Sequence, residues 1–211
     1  MKDLTADRQF MVDSQLKARG VSDSRVLNAM LRVPRELFVP EPYRAQAYED
    51  HPLPIGEGQT ISQPYIVARM LESLDLAPDD KVLEVGTGSG YVAALLGECV
   101  AQVFSIERHR NLAANAREIM AKLGYVNVHV FAGDGTLGLA EEAPFDAILV
   151  SAAALDIPAM LMTQLRDPGR MIIPIGTPDS QQMQFIRKIN GEVQTTLLEL
   201  VRFVPLISDQ N

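Results

Sequence analysis

The stretch Val82-Leu83-Glu84-Val85-Gly86-Thr87-Gly88-Ser89-Gly90-Tyr91 carries the strongest structural signal in the chain. Residues 82–85 combine three apolar residues with one acid in a short run that is typical of a buried strand. Glycines at alternate positions follow, and without a Cβ they let the backbone approach a ligand closely. An apolar helical pattern then starts at Tyr91. The stretch therefore predicts a strand, a ligand-binding turn and a helix, which is the repeating unit of a parallel α/β sheet.

Short β-rich runs alternate with helical patterns on the C-terminal side of this stretch. Such alternation predicts a mostly parallel sheet with right-handed crossovers. The last two runs, separated by Asn190-Gly191, predict an antiparallel hairpin. The expected fold class is α/β: a Rossmann-like, doubly wound, mostly parallel sheet with a C-terminal antiparallel hairpin and an N-terminal helical extension. The later predicted strands are 101–106, 127–131, 145–150, 170–174, 181–190 and 192–204, and the predicted helices are 91–96, 108–123 and 158–166.

Residues 1–80 carry helical patterns joined by a proline-rich stretch. A first helix is predicted over about 6–19 with its end at Gly20, and a second after Ser22 as its N-cap. Six of the 13 prolines lie between Pro34 and Pro64, too many for a central strand or a long helix. A long loop inside a compact domain is more often functional than accidental. A third helix is predicted to begin at Pro64, because proline suits the first helical position.

Length and composition exclude several classes of protein. The 211 residues suit a single domain over 1–211, in which 81–211 form the α/β core with the ligand-binding turn and 1–80 form an N-terminal extension. A net charge of −8 disfavours a nucleic-acid binder, because that affinity rests on Lys and Arg. The single cysteine, Cys99, excludes an internal disulfide. No apolar signal core or membrane-length apolar run is present. We therefore expect a cytoplasmic protein with no nucleic-acid or membrane partner.

The glycine turn departs from the dinucleotide-binding fingerprint. That fingerprint is Gly-x-Gly-x-x-Gly, with a pyrophosphate on the helix N-terminus. Here Gly90 comes one residue early, and Tyr91 stands where the fingerprint has glycine. Glu84 adds a negative charge two residues before Gly86, which suits a cationic ligand without phosphate. S-adenosyl-L-methionine, with a sulfonium and an ammonium group, is such a ligand. The acid-x-Gly-x-Gly-x-Gly pattern resembles the first motif of class I methyltransferases.

Two further acids follow predicted strands at the same end of the sheet. Glu107, after the second strand, can accept hydrogen bonds from both hydroxyls of a ribose. Asp134, before Gly135 and after the third strand, can meet an adenine amino group. Each signal alone has a plainer explanation: a structural glycine turn, an acid at a helix start or an aspartate in a turn. Together they favour an adenosyl cofactor held by Glu84, Gly86, Gly88, Gly90, Glu107, Asp134 and Gly135.

Several motifs outside the glycine turn belong together. The most specific runs from Pro52 to Pro64 and ends in Gly58-Gln59-Thr60-Ile61-Ser62-Gln63-Pro64, which general class I methyltransferases lack. The other motifs are Met11-Val12, Arg19-Gly20-Val21, Val33-Pro34-Arg35, Phe38-Val39-Pro40, Ala47-Tyr48-Glu49-Asp50, Pro174-Ile175-Gly176 and Arg202-Phe203-Val204-Pro205-Leu206. With these motifs, nearly the whole chain resembles the protein-L-isoaspartate O-methyltransferase family.

The resemblance implies a repair enzyme. It would move a methyl group from S-adenosyl-L-methionine to the free α-carboxylate of L-isoaspartyl residues in damaged proteins and peptides, leaving S-adenosyl-L-homocysteine. The methyl ester closes to a succinimide, which can hydrolyse to normal aspartate. A carboxylate has a pKa of about 4, so it is ionised at neutral pH and needs no general base. The enzyme would mainly supply proximity and exclude water. No metal is expected, since His51, His109 and His129 share no ligand spacing.

The family's Thr-Ile-Ser motif implies which residues meet the substrate. Here the motif is Thr60-Ile61-Ser62, and the Ser62 hydroxyl would lie beside the substrate carboxylate as the catalytic residue. It would donate a hydrogen bond and would not act as a nucleophile. Leu206 in the matching tail is the fourth expected substrate-binding residue. Without the resemblance, Ser62 would more often be an N-cap of the next helix, and both roles are compatible.

Departures from the family pattern leave two other functions open. Leu155 stands where the family usually has proline, Asp167-Pro168-Gly169 replaces Pro-Gly-Gly, and the chain has no tryptophan. A methyltransferase of the same fold for another carboxylate or a small molecule would bind the cofactor without preferring isoaspartyl residues. A non-catalytic adenosyl-binding protein would bind the cofactor without turnover. In each case we expect a monomer.

Overall fold

A seven-stranded sheet forms the centre of the computed structural model, which describes residues 3–209. A separate antiparallel hairpin consists of β1 (Leu53–Gly56) and β2 (Gln59–Ile61). The strands of the large sheet are β3 (Lys81–Val85), β4 (Gln102–Glu107), β5 (Val128–Ala132), β6 (Phe145–Val150), β7 (Leu165–Thr177), β8 (Ser180–Ile189) and β9 (Glu192–Val201). The α-helices are α1 (Thr5–Phe10), α2 (Ser24–Arg32), α3 (Pro64–Ser73), α4 (Tyr91–Cys99), α5 (Arg110–Leu123) and α6 (Ala159–Gln164).

The order of the strands confirms the predicted topology. It is β5-β4-β3-β6-β7-β8-β9. The pairs among β3 to β7 are parallel, whereas β7–β8 and β8–β9 are antiparallel. The chain leaves β3 for β4 on one side and later returns to β6 on the other. The carboxyl ends of these strands are therefore the switch point at which open α/β sheets bind ligands.

The C-terminal strands differ in length from the prediction. The strand expected over 170–174 extends over Leu165–Thr177, because it pairs with β6 on one side and with the long β8 on the other. The last strand ends at Val201, which pairs with Gln181 at the start of the antiparallel β8, and not at 204. The residues after Val201 leave the sheet as a C-terminal tail, defined here as 202–209.

The first helical segment is less regular than predicted. After α1 the chain continues through a π-helical turn (Met11–Leu16) and a 3-10 turn (Lys17–Arg19). It ends as predicted at Gly20, whose φ of 93° is left-handed. Among residues 3–209, no helix is both long and apolar enough to cross a bilayer.

The N-cap of α2 is Asp23, so the prediction of Ser22 is wrong. The Asp23 carboxylate accepts a hydrogen bond from the Arg25 N–H at 2.8 Å, the geometry of an N-cap. Ser22 is held elsewhere, because its N–H and its hydroxyl both donate to Glu72 Oε1 at 2.6 and 3.2 Å. Ser22 and Asp23 can both cap a helix, and the contact of Ser22 with α3 decides that Asp23 is the N-cap.

The proline-rich segment contains the β1–β2 hairpin, which the sequence did not predict. Its tip, Gly56-Glu57-Gly58, has positive φ at all three residues. Glu57 reaches the start of α5, where its Oε1 accepts a hydrogen bond from Asn111 at 2.9 Å. The Ile55 side chain lies close to Gly88: a Cβ added to Gly88 would be 3.3 Å from Ile55 Cδ1. The hairpin therefore lies against the glycine turn.

Apolar side chains are buried on both faces of the sheet. Val82 and Leu83 of β3 point to opposite faces and belong to two separate hydrophobic clusters. Met11 and Met30 of the N-terminal segment have no exposed surface and belong to the Val82 cluster. The N-terminal helices thus share a core with the sheet, and this packing holds the segment between α2 and α3 beside the carboxyl ends of the strands.

Candidate active site

The glycine turn joins β3 to α4 in a conformation that other residues adopt with strain. Gly86, Gly88 and Gly90 have φ of 94°, 54° and 91°, in the left-handed region that favours glycine. The Gly86 N–H donates to Ile106 O of β4 at 2.9 Å. The turn consequently lies across the ends of β3 and β4, where its backbone can approach a ligand.

Gly90 has a packing role that its place in the motif does not reveal. A Cβ at this position would lie 3.1 Å from Met120 Cε and 3.2 Å from Ala116 Cβ, both on α5. The absence of a side chain therefore allows α4 to begin directly against α5. Gly90 does not line the cavity described next, so the predicted contact of this glycine with the cofactor stays a prediction.

A first cavity, called the turn cavity here, lies at the carboxyl ends of β3 and β4. The glycine turn, the end of the β1–β2 hairpin and the C-terminal tail contribute to its wall. Gly90 and Asp134 are outside the lining. The lining includes nine of the predicted site residues: Thr60, Ile61, Ser62, Glu84, Gly86, Gly88, Glu107, Gly135 and Leu206. Segments that are distant in sequence thus meet in one place.

Glu84 is a fully buried acid in the wall of the turn cavity. Its Oε2 accepts a hydrogen bond from Ser105 Oγ at 2.5 Å, whereas its Oε1 has no partner in residues 3–209. Burial raises the pKa of Glu84 to about 8, and nearby Glu107 raises it as well, while the Ser105 hydrogen bond lowers it. A positive charge beside the unpaired oxygen would favour the ionised form. The site therefore fits a cationic group.

Glu107 connects the glycine turn to the start of α5. Its Oε2 accepts a hydrogen bond from the Gly88 N–H at 2.9 Å, and its Oε1 accepts one from the His109 N–H at 2.9 Å. The side chain is buried yet lines the turn cavity. Each carboxylate oxygen has a second lone pair, so Glu107 can still accept hydrogen bonds from the hydroxyls of a bound nucleoside.

Asp134 holds the C-terminal tail. Its Oδ2 accepts hydrogen bonds from the Asp209 N–H at 2.9 Å and from Ser208 Oγ at 3.2 Å. Its Oδ1 accepts two from Thr136, through the N–H and the hydroxyl. Burial raises the pKa of Asp134, but the hydrogen bonds from Thr136 and Asp209 outweigh this and hold it below its usual value. The adenine contact predicted for Asp134 would have to share the carboxylate with the tail.

A second cavity of about 830 Å³, called the tail cavity here, adjoins the first. The tail forms one wall, and it is held by hydrogen bonds from Ala153 N–H to Val204 O at 2.8 Å and from Leu206 N–H to Ala153 O at 2.7 Å. Arg202 and Asp179 bring charge to this cavity. Four residues line both cavities: Thr60, Ser62, Ser151 and Val204.

Ser62 lies at the junction of the two cavities. The N-cap of α3 is the next residue, Gln63, and it forms no side-chain capping bond. The Ser62 hydroxyl has no hydrogen bond to another residue within 3–209, so the capping role is not realised. Its carbonyl accepts a hydrogen bond from Arg35 Nη2 at 2.9 Å. The hydroxyl is thus available to a bound molecule while the backbone is held from behind.

Three residues near the junction were not predicted as site residues, although two of them, Arg35 and Val204, belong to family motifs. Ser151 directly follows β6, and the carboxyl-end rule applied to that strand would have found it. Val204 reaches the junction only because the tail crosses back to Ala153. Arg35 is buried behind Ser62.

Within residues 3–209, no three His, Cys, Asp or Glu side chains are grouped as a metal site requires.

Sequence relatives cover almost all of the chain. The family model for protein-L-isoaspartate(D-aspartate) O-methyltransferase (PCMT) matches residues 7–211. A protein-L-isoaspartate O-methyltransferase of Koribacter versatilis is 59% identical over 204 residues, which are 97% of this chain and 92% of that protein. One from Roseiflexus castenholzii is 53% identical over 205 residues, or 97% of this chain and 94% of that protein. The similarity includes the N-terminal segment as well as the sheet.

Solved structures agree with the sequence relatives. One protein-L-isoaspartate O-methyltransferase is 32% identical with a TM-score of 0.85, covering 94% of this chain and 65% of that chain. One from Plasmodium falciparum, in complex with S-adenosyl-L-homocysteine, is 29% identical with a TM-score of 0.83, covering 98% and 99%. A precorrin methyltransferase from Geobacter metallireducens, at 15% identity and a TM-score of 0.52, covers 68% and 88% and shares the fold alone. The chain therefore belongs to the protein-L-isoaspartate(D-aspartate) O-methyltransferase family, and its activity is the protein-repair methylation of isoaspartyl residues.

Proposed function

We propose that methyl transfer takes place where the turn cavity and the tail cavity meet, with S-adenosyl-L-methionine in the first and the isoaspartyl peptide in the second. The observation that carries this proposal is the shared lining: Thr60, Ser62, Ser151 and Val204 belong to both cavities. Group transfer needs the two reactants in direct contact and correctly oriented. Two adjoining cavities with a common wall meet that requirement without a long movement of either molecule.

The turn cavity fits this cofactor on its own chemistry. Glu84 offers a buried carboxylate oxygen without a partner in residues 3–209, which suits a cation. Glu107 offers acceptor lone pairs for ribose hydroxyls, and Gly86, Gly88 and Gly135 line the same wall. S-adenosyl-L-methionine supplies an electrophilic methyl group on a sulfonium, which is an excellent leaving group. The relative from Plasmodium falciparum binds the demethylated product of this cofactor.

Ser62 is proposed as the residue that orients the acceptor. Its hydroxyl is unpartnered within residues 3–209 and lies at the junction, so it can donate a hydrogen bond to the α-carboxylate of the substrate. The carboxylate is already ionised at neutral pH and needs no general base. Thr60 lines both cavities and would contact the peptide, while Ile61 and Leu206 line the turn cavity beside Ser62, where they would meet the peptide at the junction and exclude water.

The remaining parts of the proposal concern the protein as a whole. We expect one folding unit, because the N-terminal helices and β3 share a hydrophobic cluster. We expect a monomer that needs no metal and works in the cytoplasm, where a free thiol such as that of the buried Cys99 persists. Light scattering coupled to size-exclusion chromatography measures the oligomeric state, and the mass of a dimer would contradict the expected monomer.

A methyl-release assay tests the proposed site. The protein is offered an isoaspartyl peptide and its aspartyl twin, and only the first should be labelled. Ser62→Ala should lower kcat by about 10²-fold, a typical loss when a transition-state hydrogen bond is removed, while cofactor affinity stays within threefold. The matched control is Ser73→Ala at the far end of α3, which should behave as wild type. Equal labelling of both peptides, or full activity of Ser62→Ala, would contradict the proposal.

A further inference from the structure

Arg35 is a fully buried arginine between the N-terminal segment and the junction of the two cavities. Its Nε donates to Ala47 O at 2.7 Å, and its Nη2 donates to Ser62 O at 2.9 Å. The guanidinium carbon lies 4.9 Å from the centre of the Tyr91 ring, and Tyr91 lines the turn cavity. One side chain therefore contacts both the segment that presents the acceptor and a residue of the cofactor wall.

The positive charge of Arg35 is not balanced by an ion pair within residues 3–209. Its Nη1 has no hydrogen-bond partner there. Asp50 acts on Arg35 through its charge, but its carboxylate is already bonded to Arg19 at 2.5 Å and to Gln63 at 2.7 Å. Burial lowers the pKa of Arg35, yet a guanidinium stays protonated in proteins. An unpaired buried charge is costly to retain, so a purely structural explanation is incomplete.

The substrate brings the charge that Arg35 lacks. An isoaspartyl α-carboxylate carries one negative charge into a region whose cofactor wall already contains Glu84 and Glu107. Arg202, the arginine that lines the tail cavity, is exposed and well solvated. A buried guanidinium behind the Ser62 carbonyl acts through a low-dielectric wall, where charges interact more strongly than in water.

We infer that Arg35 is a positioning residue that orients Ser62 through the Ser62 carbonyl and stabilises the acceptor carboxylate through its unbalanced positive charge. This inference rests on the proposed seat of that carboxylate beside Ser62. Arg35 touches neither reactant and acts through the Ser62 backbone and the intervening wall. Because its charge is buried, it favours a carboxylate held at the junction and gives little advantage to acidic side chains on the rim.

The alternative is a structural link between Ala47 and Ser62. Both explanations expect a less stable protein when Arg35 is replaced. They differ in peptide binding. If the charge matters, loss of Arg35 weakens binding of the peptide in which the isoaspartyl residue carries a free α-carboxylate. Binding of the same peptide with an α-carboxamide at that position is not weakened. If Arg35 only holds the backbone in place, both peptides lose affinity to the same extent.

The experiment compares Arg35→Met and Arg35→Lys with wild type. The control is Arg170→Met, which removes a partly buried arginine that pairs with Asp80 away from both cavities. Dissociation constants of the acid and carboxamide peptides are measured with S-adenosyl-L-homocysteine present, and cofactor affinity and thermal stability are measured alongside. Arg35→Met should weaken acid binding about 30-fold, the low end of the loss when one partner of a desolvated charge pair is removed, because Arg35 does not touch the carboxylate. Carboxamide and cofactor binding should change less than threefold.

The other variants separate charge from geometry. Arg35→Lys should keep most of the preference for the acid, because its ammonium retains the charge, but lower kcat, because it loses the fork that bonds both carbonyls. Arg170→Met should lower thermal stability and leave the preference unchanged. If Arg35→Met does not fold, Arg35→Gln replaces it as the neutral variant, and Arg35→Lys should bind the acid at least ten times better.

A parallel loss for both peptides, an unchanged preference in the neutral variant, or equal acid binding by the Lys and Gln variants overturns the inference. None of these results affects the proposed site itself. That proposal fails instead if the wild-type protein does not distinguish isoaspartyl from aspartyl peptides, or if Ser62→Ala keeps full activity.

Discussion

Glu84 and Ser105 are direct neighbours across β3 and β4, and the Ser105 hydroxyl donates to Glu84 Oε2 at 2.5 Å. The Thr87 hydroxyl of the glycine turn contacts Ser105 Oγ in turn. This arrangement satisfies one oxygen of a fully buried carboxylate and leaves the other without a partner in the described part of the chain. The protonation state of Glu84 therefore depends on pH and on what occupies the turn cavity.

The first prediction concerns stability and pH. In the folded protein without ligand, burial raises the pKa of Glu84 from 4.5 to about 8. Between these pH values the folded state keeps a proton on Glu84 that the unfolded state has lost. The contribution of Glu84 to the free energy of unfolding is therefore greatest below pH 4.5 or so and is lost as the pH rises through about 8. Glu84→Gln should therefore gain stability relative to wild type as pH rises from 5 to 8.5, as urea unfolding can measure.

An exposed acid provides the control for this titration. Glu118→Gln on α5 changes the same group at an exposed position and should follow the wild-type pH curve. If the curves of Glu84→Gln and wild type run parallel from pH 5 to 8.5, Glu84 does not have the raised pKa.

The second prediction concerns proton release on cofactor binding. A cation beside Glu84 Oε1 favours the ionised carboxylate, so binding at pH 7 should release close to one proton. Calorimetry in two buffers of different ionisation enthalpy gives this number directly. The affinity of wild type should rise with pH up to about 8, whereas Glu84→Gln should show no such rise. Equal proton release from both proteins would contradict the assignment.

The third prediction concerns Glu107. Its two oxygens accept hydrogen bonds from the N–H groups of Gly88 and His109. Glu107→Gln places an amide NH₂ against one of these donors, so one hydrogen bond is lost and a donor is left unsatisfied, at a cost of about 1–3 kcal/mol. Cofactor affinity should fall about tenfold or more by calorimetry. Glu118→Gln again serves as control, and an unchanged affinity would exclude Glu107 from cofactor binding.

The fourth prediction separates packing from cofactor contact at Gly90. Gly90→Ala adds a Cβ 3.1 Å from Met120 and 3.2 Å from Ala116 at a left-handed φ, so overpacking of about 1–3 kcal/mol adds to the backbone strain. Gly124, at the C-terminal end of α5, also has a left-handed φ, but a Cβ added there would have no atom within 4 Å. Gly124→Ala therefore measures the backbone strain alone. Chemical unfolding should show the larger loss for Gly90→Ala. Equal losses would refute the packing role.

The fifth prediction concerns the hold of Asp134 on the tail. Asp134→Ala removes the acceptor of the Asp209 N–H and the Ser208 hydroxyl, each worth about 1 kcal/mol. Hydrogen exchange in residues 204–209 should therefore accelerate about tenfold or more, and cofactor affinity should fall as the cavity wall loosens. Asp209→Asn breaks only the exposed ion pair with Arg108, which contributes little. The idea fails if both variants exchange alike.

Much of the cofactor site was predictable because its signals are local. The glycines, Glu84 and Glu107 each lie within a few residues of a strand end, and parallel strands bring their carboxyl ends to one edge of the sheet. Five residues predicted in this way accordingly share one cavity: Glu84, Gly86, Gly88, Glu107 and Gly135. The other four predicted residues in its lining came from the family motifs. The β1–β2 hairpin was not predicted, because its strands of four and three residues are too short for a periodic signal and contain a proline.

Other roles depend on contacts between distant parts of the chain. Asp134 was predicted to meet a ligand, but in the structure its carboxylate holds Asp209, which lies 75 positions further along the chain. Gly90 belongs to the glycine pattern, yet its contacts are with α5. The choice of Asp23 over Ser22 as a cap depends on Glu72 of α3. No pattern within one segment contains this information.

The amino-acid sequence by itself determined the fold class and the glycine turn with its acids, because apolar periodicity and the conformational freedom of glycine act over a few residues. Its motifs also indicated the family. Only the tertiary structure decided that the tail crosses to Ala153, that two cavities meet at Ser62 and that the charge of Arg35 lies buried behind it. The reason is physical. Burial and pairing of a charge are properties of everything packed around it, and here those groups come from segments that are far apart in sequence.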